Sequence, residues 1–454
     1  MSDSSTTGQS TCINIFTGGG KMGELMRSHN WSQTPLGPVE NWSQSLKTSI
    51  QIILGSRYPM FIWWGEQLIN LYNDAYIPML GQRHPKALGQ SAYDIWAEIW
   101  HALGPQVEDV LKRGLPSWNE EFLEIMERNG YPEETYFTFS YSPISEDGGV
   151  GGVFCACTED TRRVIDDRRL RTLRELGTET TKAKTVNEAC QISASVLSNN
   201  PHDIPFALLY LLNEKQAQLF STTGLVVGTE ACPSVIELIE TETTDCWSLN
   251  QVLATGKSRV IEDLVERFGL LPGGAWSQSP KSAIVLPLTR PGQKTFGFLI
   301  FGISALRPLD DDYQGFFDLV AGQVTTATAN SFAYEEERKH VVREVARSAA
   351  LAELDRAKTT FFNNVSHEFR TPLTLILGAA EDALADRDIS THQRQRLEVL
   401  QRNGLRLLKL VNTLLDFSQI ESDRTSAVYQ PTDLAVFTSE LASVFRSASG
   451  QGYG

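Results

Sequence analysis

His367 and Glu368 stand side by side in the stretch Phe361-Phe-Asn-Asn-Val-Ser-His-Glu-Phe-Arg-Thr-Pro372, with Thr371 four residues after the histidine. A neutral imidazole is a nucleophile when solvent reaches it and a partner holds its other nitrogen. An adjacent carboxylate can be that partner. On a helix, Phe362, Val365, Phe369, Leu373 and Ile376 fall on one apolar seam, and His367 lies about 200° from both Val365 and Phe369. Asn363, Thr371 and Thr374 share its side, so the imidazole sits at the centre of a polar stripe. Pro372 cannot donate to the Glu368 carbonyl and its ring crowds that oxygen, which predicts a bent or loosened helix at the His-Glu pair. An arbitrary histidine on such a face is most often a solvated surface residue. That role explains neither the neighbouring carboxylate nor a proline inside a continuing seam.

The run Ser366-His367-Glu368-Phe369-Arg370-Thr371-Pro372-Leu373-Thr374 resembles the H-box of sensor histidine kinases and matches it without a gap. In that family the histidine attacks the γ-phosphate of ATP, and the phosphoryl group then moves to an aspartate of a response regulator. The resemblance implies that His367 is the phosphoacceptor. It implies that Glu368 orients the ring and takes up its proton, and that Thr371 serves the reverse, phosphatase step. ATP and magnesium are the cofactors it implies for a complete kinase.

Composition bounds the rest. The chain has 454 residues, enough for roughly three domains. A net charge of -15 with no offsetting basic cluster argues against nucleic-acid backbone binding. The longest apolar runs, near 284–288 and 296–303, are too short to span a bilayer, and the polar N-terminus lacks a signal-peptide core. A cytoplasmic protein without membrane insertion is expected. Six scattered cysteines suit a reducing compartment. Cys155 and Cys157 share a strand face but have no further ligands nearby, so no metal site is expected.

Residues 1–40 read as a flexible segment, rich in Ser, Thr and Gly up to Met22. Gly18-Gly-Gly-Lys21 is followed by Met22, so the phosphate-loop spacing fails. Ser43 to Leu54 is predicted as a helix with Leu46, Ile50 and Ile53 on one face. Strands are expected at Met60–Trp64 and Leu68–Tyr72, then at Trp118–Glu127, Thr135–Pro143 and Val150–Thr158, with turns at Asn129-Gly130 and Asp147-Gly148-Gly149. Two strands, short helices and three strands over 41–161 resemble a PAS domain, as do Leu71-Tyr-Asn-Asp-Ala-Tyr76 and Thr138-Phe-Ser-Tyr-Ser-Pro143. Its ligand is unknown. The tryptophans at 63, 64, 96 and 100 read as core rather than as a ligand cage, and His84 and His101 as surface or hydrogen-bonded residues.

A connector helix is expected over 162–184, pairing with a partner copy through Leu170, Leu173 and Leu176. Residues 185–333 resemble a GAF domain, with a helix from Asn187, strands at Phe206–Leu212 and Ala217–Ser221, and a hairpin of Ala283–Leu288 with Phe296–Ile303. No histidine accompanies Cys246, so covalent chromophore attachment is not expected there. A signalling helix then covers 334–356, within a proline-free run from Asp310 to Thr371.

The phosphoacceptor domain is expected over 357–424. Ser390 and Gln393 form a capping box for its second helix, where Leu397, Leu400, Leu407, Leu408, Val411, Leu414 and Leu415 make a wide apolar stripe. Two antiparallel helices cannot hide such stripes alone, so a homodimer with a four-helix bundle follows. The expected fold is thus multidomain α+β: two sensors, a long helix and a helical hairpin. Gln430-Pro-Thr-Asp-Leu-Ala435 resembles the opening of the kinase ATP-binding domain, so 425–454 is read as its incomplete start. The expectation is a kinase whose 454 residues alone do not autophosphorylate. A non-enzymatic dimeric sensor or phosphotransfer protein is the alternative.

Overall fold

The run Met60–Trp64 is apolar throughout and ends at Gly65, whose φ of +72° suits a glycine turn. It forms the strand β1 in the structure, a computed structural model that describes residues 15–238, 245–385, 389–421 and 431–449. The chain divides into two units, 1–336 and 337–454. Cys12 and the expected domain start at 425–430 lie outside the described residues.

In the first unit, β1 (Met60–Trp64), β2 (Ile69–Tyr72), β3 (Asn119–Met126), β4 (Glu133–Glu146) and β5 (Gly149–Glu159) form an antiparallel sheet in the order β2-β1-β5-β4-β3. Residues 15–40, expected to be flexible, are instead part of this domain. Helix α1 (Gly20–Ser28) buries Met22 and Met26, and Ile15, Phe16, Trp31 and Val39 join the same core. The Asp74 carboxylate accepts from the N–H groups of Lys21 and Met22 at 3.0 and 2.7 Å, satisfying donors at the start of α1. Composition misled here because a few large apolar side chains among small polar ones suffice to anchor a segment. Helix α2 (Gln44–Gly55) is capped by Ser43, whose Oγ accepts from Leu46 N, and buries Leu46, Ile50 and Ile53 as expected. Helix α3 (Trp100–Arg113) packs on β4 and β5. His84 is hydrogen-bonded, with Nδ1 3.0 Å from the Tyr72 hydroxyl.

Helix α4 (Thr161–Glu179) leaves this sheet at a closed corner. Arg128 donates twice to Glu159 at 2.7 and 2.6 Å, and Tyr136 N donates to Thr161 Oγ1. The spacing of three between Leu170, Leu173 and Leu176 does not make one face. Leu176 is buried in the core of the following domain, whereas Leu170 is 54% exposed. Three residues advance a helix about 300°, so the row drifts around it.

The second sheet runs in the order β8-β7-β6-β11-β10-β9. Its strands are β6 (Ala207–Asn213), β7 (Gln216–Thr223), β8 (Val235–Glu237), β9 (Arg259–Ile261), β10 (Ala283–Leu288) and β11 (Gly297–Gly302). Helix α5 (Val186–Ser198), capped by Thr185, packs on β6 and β7. Helix α6 (Asp311–Ala385) begins here, with Tyr313, Phe317, Val320 and Val324 buried beside Leu176. Val186 N donates to Glu335 Oε1 at 2.8 Å, so the start of α5 meets α6 at a point 149 residues on.

A buried ion cluster joins the two sheet domains through α4. Arg168 donates to Glu134 on β4 at 2.7 and 3.2 Å and to Asp203, in the loop before β6, at 2.8 Å. Arg169 donates to the other Asp203 oxygen at 3.2 Å and lies over the Tyr313 ring. Asp203 and Glu134 have no exposed side-chain surface.

In the second unit α6 stays helical through Pro372, and α7 (Thr391–Glu421) returns antiparallel to it. Ser390 and Gln393 form the reciprocal capping box: Ser390 N donates to Gln393 Oε1 at 3.1 Å and Gln393 N to Ser390 Oγ at 3.3 Å. Helix α8 (Leu434–Ser449) follows, its first N–H groups held by Asp433.

Candidate functional site

The hairpin of α6 and α7 positions the histidine. Ser366, Leu373, Leu377 and Ala380 recur at helical spacing and are the buried residues of α6 here. Gly404 on α7 faces Leu377, Arg370 Nη2 donates to Asn412 Oδ1 at 3.1 Å, and Gln401 Nε2 donates to Glu381 Oε1 at 3.4 Å. These pairs climb one helix as they descend the other, which fixes the antiparallel register.

One residue beyond buried Ser366, a helix has turned by about 100°, and His367 is exposed. Glu368 and Thr371 are exposed with it. The structure therefore brings the three predicted site residues to an open surface of one helix. Thr371 sits one turn from His367, and its hydroxyl donates to the His367 carbonyl at 3.3 Å. Thr374 likewise donates to the Arg370 carbonyl at 2.8 Å. Among the described residues no hydrogen bond joins the Glu368 carboxylate to the His367 ring. The expected seam is only half buried. Leu373 is 6% exposed, but Phe369 and Ile376 are 55% and 49% exposed.

Sequence reasoning missed Gly404 and Asn412, which support the histidine helix from across the hairpin. A glycine within an otherwise apolar helical stripe was the available signal for the first. Asn412 carried none. Among the described residues, no group of three or more His, Cys, Asp or Glu could hold a metal ion.

Residues 357–423 match the His Kinase A (phospho-acceptor) domain family, and residues 181–329 match the GAF domain family. Over these regions the chain is similar to sensor histidine kinases. Relatives among these kinases include hybrid signal transduction histidine kinase D of Dictyostelium discoideum, 43% identical over 95 residues, 21% of this chain and 6% of that protein. Sensor histidine kinase TmoS of Ectopseudomonas mendocina is 34% identical over 149 residues, 32% of this chain and 15% of its own. Probable histidine kinase 3 of Oryza sativa subsp. japonica is 34% identical over 127 residues, 28% of this chain and 12% of its own. The chain thus spans a small part of the length of the histidine kinases it matches. Among solved structures, the GAF domain from an Acinetobacter phosphoenolpyruvate-protein phosphotransferase aligns at 19% identity with a TM-score of 0.28, covering 36% of this chain and 95% of that one. Among the described residues, no helix is long and apolar enough to cross a membrane.

Proposed function

We propose that the chain is the sensory and phosphoacceptor part of a signal-transduction histidine kinase, in which His367 carries the phosphoryl group. The observation that carries this reading is an exposed His367 beside Glu368, on a packed helical hairpin within the matched phospho-acceptor domain. A lone pair of the neutral imidazole attacks the γ-phosphorus of ATP. The bond to the leaving ADP oxygen breaks with its electron pair, and the proton on the other ring nitrogen passes to Glu368. The phosphoryl group then moves to a receiver aspartate of a response regulator, and Thr371 orients water for the reverse step. The nucleotide and its magnesium are supplied by a kinase catalytic domain, as the resemblance to sensor histidine kinases implies. Every relative named above is a histidine kinase, which favours this reading over a non-enzymatic sensor.

The same reading makes the first sheet domain a PAS-like input and the second a GAF input. It makes the chain a homodimer through a four-helix bundle. Support comes from unburied apolar surface: Leu400, Leu407 and Leu414 on α7 recur every seven residues and are 46%, 50% and 45% exposed. Phe369 and Ile376 on α6 are equally uncovered. A second hairpin of the same kind covers such stripes.

The experiment supplies the catalytic domain of a related histidine kinase in trans with labelled ATP and magnesium. Label stable in base and lost in acid is expected on the chain, and none on His367→Gln. Label that persists in His367→Gln overturns the assignment.

A further inference from the structure

Helix α4 is the covalent path from the first sheet domain into the GAF domain, but strand β4 reaches the start of α6 more directly. Glu134 N donates to the carbonyl of Leu306, just before α6, at 3.4 Å. The Glu134 carboxylate accepts from Arg168, and Arg168 donates onward to Asp203. The Asp203 carbonyl in turn accepts from the hydroxyl of Tyr313, in the first turn of α6. Ser304 N donates to the same hydroxyl at 3.1 Å, and Arg169 lies over the rings of both Tyr313 and Phe316. Farther along β4, Phe139 and Tyr141 belong to the core of the first domain. One strand thus runs from that core to the ion cluster.

A buried ion network is weak evidence for stability, because well-packed apolar residues often serve as well. What this one fixes is register. An apolar interface can slide and repack, whereas a slip of β4 against α6 leaves a fully buried carboxylate without its arginine. Displacement of β4 is therefore passed on rather than absorbed. Among the described residues Arg168 alone donates to both carboxylates. Beyond the cluster, Arg171 and Arg174 on α4 are exposed and take no part in it.

We propose that Glu134, Arg168, Asp203 and Tyr313 form a mechanical coupling that carries displacements of β4 to the start of α6, without need of α4 beyond Arg169. The first domain then acts on the long helix without passing through the GAF sheet. The coupling is separate from His367, and its test does not depend on phosphorylation.

Hydrogen exchange in the full chain, read by mass spectrometry at residues 133–141 and 311–320, tests it. Glu134→Gln, in the first domain, is expected to speed exchange at 311–320 roughly tenfold or more, the worth of a hydrogen bond to a charged group. Tyr313→Phe, on α6, is expected to speed exchange at 133–141. The double variant should exchange no faster than the faster single variant at either segment, because one connection is broken only once. Should Glu134→Gln fail to fold, Arg168→Lys keeps the charge without the fork that spans two carboxylates and should give the same rise. Arg171→Gly combined with Arg174→Gly softens α4 past the cluster and should raise exchange at 311–320 far less. Wild-type rates at 311–320 in Glu134→Gln, or in Arg168→Lys in its place, overturn the proposal. So do single effects that multiply in the double variant. A rise in the softened α4 equal to that in Glu134→Gln also overturns it, and assigns the coupling to α4.

Discussion

Gly404 leaves room for Leu377: a Cβ built on Gly404 would stand 2.7 Å from Leu377 Cδ2 and 3.2 Å from its Cγ. Leu377 is 7% exposed, so the leucine is itself packed and cannot retreat freely. The close approach of α6 and α7 beside the phosphoacceptor turn depends on that missing side chain. Gly404→Val is expected to destabilise the hairpin by roughly 1–3 kcal/mol through overpacking. Urea unfolding followed by helical circular dichroism measures it. A more stable variant would show that the helices do not meet at Gly404.

Replacing Glu368 by Gln removes the proton acceptor while keeping size and helix propensity. Phosphorylation of His367 in trans is expected to slow by about 10²- to 10⁴-fold, the usual worth of general-base help. The circular dichroism of the variant should match wild type. An unchanged labelling rate would remove Glu368 from the reaction.

Thr371→Ala is expected to spare phosphorylation and weaken dephosphorylation of a cognate regulator. Its hydroxyl lies one turn from the histidine and, among the described residues, bonds only a backbone carbonyl, at 3.3 Å. Parallel assays of both half-reactions decide it. Equal losses in the two would assign Thr371 to helix structure instead.

The exposed stripe on α7 predicts a dimer at micromolar concentration. Leu407→Asp should give monomers by light scattering, because an unpaired charge in an apolar interface is costly. Leu407 is half exposed in one chain, so the hairpin itself should stay folded. A monomeric wild type would refute the burial argument.

Acid should loosen the first unit. Burial acts to raise the Asp203 pKa, but hydrogen bonds and charge from Arg168, with Arg169 and Asn200, bring it below its ordinary 3.8. A carboxylate depressed in the folded state contributes stability above its unfolded pKa, and that contribution is lost as pH falls through the folded value. The wild type is therefore expected to lose stability below about pH 4 more steeply than Asp203→Asn, which starts lower because it leaves Arg169 without its carboxylate and Arg168 with Glu134 alone. Parallel acid limbs in thermal melts would contradict the cluster's role.

Much of this architecture was legible locally. Met60–Trp64 and Ala283–Leu288 are strands with the expected bounds, since an uninterrupted apolar run between turn residues has few other outcomes. The capping box at Ser390 and Gln393 needed only a spacing of three. Strands β8 and β9 are three residues each and carry no period to detect. His367 was legible because its neighbours in sequence are its neighbours on the helix. Its support from Gly404 and Asn412 arises only when a second helix returns.

The 2.8 Å bond from Val186 to Glu335 places the entrance and the exit of the GAF domain at one spot. A domain whose ends meet can be lifted out or exchanged while the helices on either side keep their spacing, as in domain insertion generally. In this protein the GAF domain is a cartridge. A different sensor would have to bring its own partners for Leu176 on α4 and for Tyr313, Phe317, Val320 and Val324 on α6, so an exchange cuts within both helices and leaves the output beyond Glu335 as it is.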